Sequence, residues 1–227
     1  MEKQTLVIGI SGKKQSGKNT LCYGLEEWIK VKYGVSCKTY SFADALKEKV
    51  CMETMGLTYE QCYGSDEDKN SLTIYKWEKL PLEVRMDNRL GDQQIDLLTS
   101  SPVLPAGFMT AREIMQIVGT DIFRKYFDDS IWVNATFRHI FKENYEVALI
   151  SDVRFPSEVE GVIEKNGSVI RLLRNVCEAD AHKSETALDD YDFSIHNDKV
   201  CIIDNTNMSI EEQNKEAVKY VKSKIES

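Results

Sequence analysis

The chain has 227 residues, of which 42% are hydrophobic and 29% are charged, and its formal net charge is −8. This composition is typical of a folded enzyme and gives no sign of disorder. The acidic balance argues against nonspecific binding to a nucleic-acid polymer, which requires a basic surface. No apolar run approaches the roughly 20 residues needed to cross a bilayer. We therefore expect no membrane association and a cytoplasmic location.

The six cysteines are far apart and include no CxxC pair, so their spacing indicates neither a zinc site nor a disulfide framework. We expect free thiols. An α/β chain of this length commonly holds together around one core, so we expect a single domain over residues 1–227.

The amino-terminal segment predicts a phosphate-binding loop. Apolar residues 6–10 form a strand, and a loop framed by Gly12 and Gly17 leads into a helix that begins near Lys18. The glycines let successive N–H groups turn toward an anion, and the helix N-terminus adds partial positive charge. Together with Ser16 they would bind ATP, while Lys18 would meet the β- and γ-phosphates as a catalytic group. A tight turn with an exposed lysine is the alternative.

The position after the lysine departs from the usual motif, which places a hydroxyl there for Mg²⁺. Here it is Asn19, and Thr20 follows. We expect Mg²⁺ as the cofactor, bound mainly through substrate phosphates, with Asn19, Thr20 and Asp152 as candidate ligands. Thr20 could instead contact the α-phosphate.

Hydrophobic periodicity and turn residues predict the remaining elements. In chain order they are a helix over 21–32 ended by Gly34, a strand over 37–43, a helix over 44–55 ended by Gly56, a helix over 109–127 broken near Gly119-Thr120, a helix over 130–143, a strand over 146–153, a helix over 156–165, strands over 168–173 and 199–203, and a last helix capped by Ser209 with Glu212. Alternating strands and helices predict a doubly wound parallel sheet flanked by helices, with ligands beyond the carboxyl ends of the strands. Residues 57–109 lack this pattern and predict an insertion near the substrate.

Two charged residues come at the end of the strand over 146–153. Asp152 would hold Mg²⁺ through water or orient the phosphate acceptor, and Arg154 would bind a phosphate through its two-donor fork. A salt bridge between them is the alternative. Glu158, one turn into the next helix, either faces the same cleft or is a solvated side chain.

The helix over 109–127 carries polar side chains near helical spacing beside its apolar face. Arginine and glutamine offer the donors and acceptors that grip a phosphate and a base. We assign substrate binding to Arg112, Gln116, Thr120 and Arg124, and also to Lys47 and Trp132. The alternative for any one of the polar residues is an ordinary position on a solvent-exposed helix face. Trp132 suits the core better than a base-stacking role.

Arg171 and Arg174 end another strand, before a polar segment. This segment, residues 176–197, is a candidate lid that would close over the nucleotide while the two arginines stabilise charge on the transferred group. Asn205, after the last strand, is a candidate contact for adenine, although a turn explains it as well.

Four segments resemble the deoxynucleoside monophosphate kinases of bacteriophages. They are SGKKQSGKNT, AREIMQIVGTDIFRKYFDDSIWV, SDVRFPSEVEGV and HKSE, which occur in the same order over nearly the whole chain, while residues 57–108 match poorly. The resemblance implies a P-loop kinase fold and transfer of the ATP γ-phosphoryl group to a deoxynucleoside monophosphate, a reaction that supplies DNA precursors. It further implies that Lys18 serves ATP, that Arg112, Gln116 and Arg154 hold the acceptor, and that Asp152 orients the acceptor or the metal. Members often have aspartate at the position of Asn19.

Two alternatives remain at this stage. One is a P-loop kinase for another phosphorylated metabolite, such as dephospho-coenzyme A or phosphomevalonate, and the other is a binding module that uses ATP only as a switch. The expected partners are ATP and the monophosphate, and the sequence is compatible with a homodimer. Because phosphoryl transfer needs alignment and charge neutralisation, we expect no phospho-enzyme.

Overall fold

The computed structural model describes residues 5–88, 103–175 and 186–226. Its strands are β1 Leu6–Ser11, β2 Cys37–Tyr40, β3 Leu72–Lys76, β4 Phe108–Thr110, β5 Val147–Val153, β6 Ser168–Leu172 and β7 Val200–Ile203. Its helices are α1 Lys18–Tyr33, α2 Tyr59–Tyr63, α3 Asp66–Lys69, α4 Leu82–Asp87, α5 Ala111–Gln116, α6 Ile131–Glu143, α7 Pro156–Glu164 and α8 Ile210–Ile225. Two π-helices cover Leu46–Thr54 and Ile117–Arg124, and two 3₁₀ stretches cover Trp77–Lys79 and Phe193–Lys199.

The chain divides into two compact units, Met1–Ala45 with Asp129–Ser227, and Leu46–Asp128. The second unit contains the predicted insertion over 57–109 but begins before it and ends after it. In this unit β3 and β4 pair in antiparallel fashion.

The first unit is built on a parallel sheet with the strand order β2-β5-β1-β6-β7. Apolar residues alternate between its two faces. One face packs in a core cluster with α6 and α7, and the other packs with α1 and α8. The expected doubly wound α/β fold is therefore confirmed. The carboxyl ends of the strands form one edge, where Ser11 pairs in register with Val153 on one side and Arg171 on the other.

Several predicted boundaries are confirmed. Gly34 and Gly56 both have positive φ, at 63° and 73°, so each takes the left-handed conformation that ends a helix most easily. Ser209 and Glu212 form the predicted capping box of α8.

The helix predicted over 44–55 is present from Leu46 to Thr54, with π-type hydrogen bonds. Two local predictions are wrong. The strand over 37–43 stops at Tyr40, because the N–H groups of Phe42 and Ala43 donate to a side chain and not to a neighbouring strand. Gly119 does not break its helix: a Cβ there would lie 2.6 Å from Leu46 Cδ2, so the glycine permits close packing within the second unit.

The first part of the candidate lid over 176–197, residues 176–185, lies outside the described residues. In the remainder, Leu188 and Phe193 are buried in the core of the first unit. The Tyr191 hydroxyl also lies 2.6 Å from His196 Nε2. Apolar packing and this polar contact hold the second part of the segment against the first unit, which does not fit an open lid. Within the part of the chain that the structure describes, no helix is both long and apolar enough to cross a membrane.

Candidate active site

The loop between β1 and α1 encloses the Lys18 side chain. Its ammonium donates to the carbonyl oxygens of Gly12 and Lys13, both at 2.6 Å, and the residue is only 7% exposed. Burial, followed by the positive charge of Arg154, lowers the pKa of Lys18 to about 7. An anion placed beside this group favours its charged form, so the lysine is suited to bind phosphate.

Steric contacts explain both glycines of the loop. A Cβ at Gly12 would lie 2.5 Å from Ser16 Oγ and 3.2 Å from the carbonyl oxygen of Leu172. Gly17 has a φ of 99°, which side chains disfavour. The loop can therefore keep this path only with glycine at the two positions.

Asp152 binds the turn that follows β2. Its Oδ1 accepts from the backbone N–H of Phe42 at 2.7 Å, and its Oδ2 accepts from Ser41 Oγ at 2.6 Å and from the N–H of Ala43 at 3.1 Å. A carboxylate has about four lone-pair positions, so these three donors leave about one for a water or a cation. Asp152 thus fixes the strand edge and keeps a limited capacity to bind.

Two arginines lie at the same edge of the sheet. Arg171 Nη1 donates to Ser11 Oγ at 2.8 Å, and its guanidinium stands 5.5 Å from the centre of the Phe193 ring. Burial lowers the pKa of Arg171. Arg154 and Arg171 both lower the pKa of Lys18, while Asp152 raises it. The first unit therefore brings four of the predicted site residues, Lys18, Asp152, Arg154 and Arg171, into electrostatic contact.

Side-chain oxygens suited to Mg²⁺ are present near this loop. Asn19 and Thr20 are exposed in the first turn of α1, and Asp152 retains about one lone-pair position. Among the described ranges, no group of three or more His, Cys, Asp or Glu is arranged to hold a metal by itself. This set fits an ion whose remaining ligands are phosphate and water, as Mg²⁺ prefers.

Arg174 and Asn205 were predicted to contact the nucleotide, but their side chains bind the protein backbone. Asn205 is 0% exposed, and its amide donates to the carbonyl oxygen of Ser16 at 2.8 Å, so it does not fit an adenine contact. The Arg174 guanidinium donates to the carbonyl oxygens of Asn205 and Met208. Three of its N–H bonds are thereby committed to the protein backbone, which does not fit a role on the transferred phosphoryl group.

Two other predicted site residues are part of the packing of the first unit. Glu158 is 3% exposed, and its carboxylate accepts from the N–H groups of Arg154 and Phe155 at the start of α7. The charge of Glu158 therefore stabilises a helix N-terminus. Trp132 is 7% exposed and belongs to the core, as its alternative interpretation held.

The other candidate substrate residues belong to the second unit. Arg112 donates to Asp66 at 2.6 Å and to Asn70 at 2.9 Å. Gln116 and Thr120 follow Arg112 at intervals of four, and both are half-buried. Arg124 is 8% exposed, and Lys47 Nζ lies 4.4 Å from the centre of the Tyr63 ring.

The sequence argument missed Ser41 and Gln213. Ser41 follows β2, so the rule that groups after parallel strands meet at one edge provides a signal that finds it. Gln213 is 2% exposed within the polar-looking start of α8 and accepts from Asn205 Nδ2 at 2.5 Å. No local pattern marks it, because its partner comes from another element.

Comparison with known proteins gives consistent relatives. A family model described as deoxynucleotide monophosphate kinase matches residues 106–212. A candidate deoxynucleotide monophosphate kinase of Acanthamoeba polyphaga mimivirus is 30% identical over 209 residues, which cover 86% of this chain and 89% of the relative. The deoxynucleoside-5′-monophosphate kinase of Escherichia phage T5 is 25% identical over 198 residues, covering 78% of this chain and 79% of that protein.

One solved structure with a similar course of the chain is a gluconokinase from Sinorhizobium meliloti 1021. It is 12% identical to this chain, and the match covers 98% of this chain and 94% of the gluconokinase, with a TM-score of 0.43. This likeness is too distant to support an assignment of residues.

Proposed function

Because the chain belongs to the deoxynucleotide monophosphate kinase family, it is a nucleotide kinase, and we propose that it transfers the γ-phosphoryl group of ATP to a deoxynucleoside 5′-monophosphate. The product is the diphosphate, a DNA precursor. The observation that carries this proposal is the buried Lys18 ammonium inside a glycine-framed loop, with Arg154 and Arg171 close enough to lower its pKa. Such a concentration of positive charge at a strand edge favours a polyphosphate ligand.

In this proposal the first unit binds ATP. The loop from Gly12 to Gly17 contacts the phosphates through its backbone, and Lys18 exchanges its bonds to loop carbonyls for bonds to the β- and γ-phosphates. Asn19, Thr20 and Asp152 are the residues that would hold Mg²⁺, directly or through water. The ion would neutralise charge on the phosphates as the γ-phosphoryl group moves.

Arg154 is assigned to the acceptor monophosphate. Its guanidinium can bind two phosphate oxygens at once, which sets both the position and the orientation of the phosphate. In the second unit, Gln116 and Thr120 make no hydrogen bond through their side chains to any described residue, so their polar atoms remain available to a base or sugar. We also assign Arg112, Arg124 and Lys47 to binding of the monophosphate that accepts the phosphoryl group.

The transfer itself requires no covalent intermediate with the protein. Lys18 and Arg171 stabilise negative charge on the oxygens of the moving group, while Asp152 keeps the β2 turn in place. Cys22, the buried thiol on α1, is unsuited to act as a nucleophile because burial raises its pKa. Alignment and charge neutralisation are sufficient for this chemistry.

A panel of acceptors tests the proposal. The purified protein is given labelled ATP and Mg²⁺ with each of the four deoxynucleoside monophosphates, the ribonucleoside monophosphates, dephospho-coenzyme A or phosphomevalonate. We expect label in deoxynucleoside diphosphates, and the Lys18→Ala variant serves as the control. Transfer only to a metabolite outside the nucleotides, or ATP hydrolysis that no acceptor stimulates, would contradict the proposal.

A further inference from the structure

Three buried polar side chains lie against the inner side of the phosphate-binding loop. Ser16 and Asn205 are 0% exposed and Gln213 is 2% exposed. Asn205 Nδ2 donates to the Ser16 carbonyl oxygen at 2.8 Å and to Gln213 Oε1 at 2.5 Å. Asn205 Oδ1 accepts from the N–H of Arg174 at 2.8 Å. The Asn205 amide therefore connects the loop to the segment that follows β6 and to α8.

Gln213 also contacts the junction of the loop and α1. Its Oε1 lies 3.0 Å from the position that a Cβ at Gly17 would occupy. Its Nε2 has no hydrogen-bond partner among the described residues, although it is buried. A buried amide with an unpaired N–H costs stability that an apolar side chain of similar size avoids. We therefore assign the Gln213 amide to orienting the Asn205 side chain, and not to stabilising the fold.

The hydrogen bond from Asn205 to the Ser16 carbonyl also affects the N–H group of the same peptide, because the peptide bond is planar. In a trans peptide the C=O and the next N–H point in opposite directions. Because the Ser16 carbonyl points inward at Asn205, the N–H of Gly17 points away from Asn205. The contact therefore sets the orientation of a donor at the N-terminus of α1, where a phosphate would bind.

We propose that Asn205 and Gln213 are positioning residues for the donor triphosphate. They hold the Ser16–Gly17 peptide in the orientation that presents its N–H to the phosphates, without touching the nucleotide. This inference rests on the proposed function for the identity of its ligand, an ATP-type triphosphate. It replaces the adenine contact that the sequence predicted for Asn205.

Asn205→Asp is the sharpest test. The change keeps the shape of the side chain and its acceptor for Arg174, but it places an oxygen against both the Ser16 carbonyl and Gln213 Oε1. We expect calorimetry with a non-hydrolysable ATP analogue to show about tenfold weaker binding, which is about 1.4 kcal/mol. Asn207→Asp, the same chemical change at an exposed residue of the same loop, is the matched control and should bind like the wild type.

Steady-state kinetics separate positioning from a general loss of structure. The KM for ATP should rise in the Asn205 variant, while the KM for the monophosphate stays within about twofold. If the aspartate variant fails to fold, Gln213→Met takes its place: it removes one acceptor of Asn205 at similar volume and should weaken analogue binding about threefold. Rescue should follow in Gln213→Asn at least in part, because that side chain restores an amide oxygen.

The outcomes distinguish this inference from the proposed function. If the protein binds the analogue but phosphorylates no deoxynucleoside monophosphate, the proposed function is overturned. The affinities of the variants then still decide whether Asn205 and Gln213 position the triphosphate. Unchanged affinity in a natively folded Asn205→Asp protein, or in Gln213→Met if the first is unfolded, overturns the positioning role. Absence of analogue binding by the wild type overturns both.

Discussion

Replacing Asp152 by asparagine sets three donors against a side chain that has lost half of its acceptors. The Phe42 N–H bonds one carboxylate oxygen, while Ser41 Oγ and the Ala43 N–H bond the other. If the new NH₂ group takes the first position, it faces the Phe42 N–H. If it takes the second, the serine hydroxyl can rotate and accept from it, and the Ala43 N–H keeps only its bond to Ser41 Oγ at 3.1 Å. The first orientation therefore leaves the Phe42 N–H unpaired, and the second removes the bond from the Ala43 N–H to the carboxylate.

The structure supports an estimate of the stability lost. Leaving a buried donor unsatisfied, or losing a hydrogen bond to a charged carboxylate, costs about 1–3 kcal/mol. For a chain of this size, 1 kcal/mol lowers the thermal midpoint by roughly 2–4 °C, so Asp152→Asn should lower it by roughly 2–12 °C. Ser41→Ala removes the hydroxyl's bond to Asp152 and its weaker bond from the Ala43 N–H, but both backbone donors stay bonded to the carboxylate, so it should cost only about 1 kcal/mol.

Thermal unfolding followed by circular dichroism measures both variants without reference to activity. We expect the asparagine variant to melt below the Ser41→Ala variant. The double variant should lose more than the sum, because without the serine hydroxyl either orientation of the asparagine leaves the Phe42 N–H or the Ala43 N–H unpaired. A natively folded Asp152→Asn protein with an unchanged midpoint would refute the view that this carboxylate fixes the turn after β2. Asp152 would then be restricted to metal or substrate.

Three further predictions concern the first unit. Lys18→Ala should abolish phosphoryl transfer with a native circular dichroism spectrum, and near-normal turnover would remove the lysine from the mechanism. Because the folded pKa of Lys18 is about 7, the free protein is largely unprotonated there at pH 8, and a bound triphosphate raises that pKa, so nucleotide binding should take up a proton. Calorimetry in buffers of different ionisation enthalpy should show this uptake in the wild type and lose it in the alanine variant. Gly161→Ala should destabilise by about 1–3 kcal/mol in urea unfolding, since its Cβ would lie 2.4 Å from Val133 Cγ1. A Val133→Ala change should relieve part of that loss, and strict additivity of the two would count against the close contact.

The sequence was sufficient to predict those parts of the fold that depend on residues close together in the chain. The strand, glycine loop and helix around Lys18 follow from residues adjacent in the chain, and the capping box at Ser209 spans four residues. The carboxyl-end rule also placed Asp152, Arg154 and Arg171 at one edge, because parallel strands align their ends. Each of these inferences needs only short-range pattern or a general rule of topology.

The remaining features depend on contacts between distant residues. Asn205 was predicted to face the ligand because it follows a strand, but its amide turns inward to Ser16 and Gln213. The strand over 37–43 was predicted too long because its β-prone residues continue past Tyr40, whereas the side chain that captures the N–H groups lies 110 residues away from Phe42. Periodicity at one position contains no information about such partners.

The contact from Asn205 to Ser16 also constrains how the protein can be made. It joins residues separated by 189 positions, and Gln213, its second partner, lies further along the chain. Closing so long a loop is slow compared with forming a helix turn, and a ribosome adds about 5–20 residues per second. During synthesis, the amino-terminal strand and loop therefore exist for many seconds before the residues that orient them emerge. The orientation of the Ser16–Gly17 peptide is therefore fixed late in synthesis, only after residue 205 has left the ribosome.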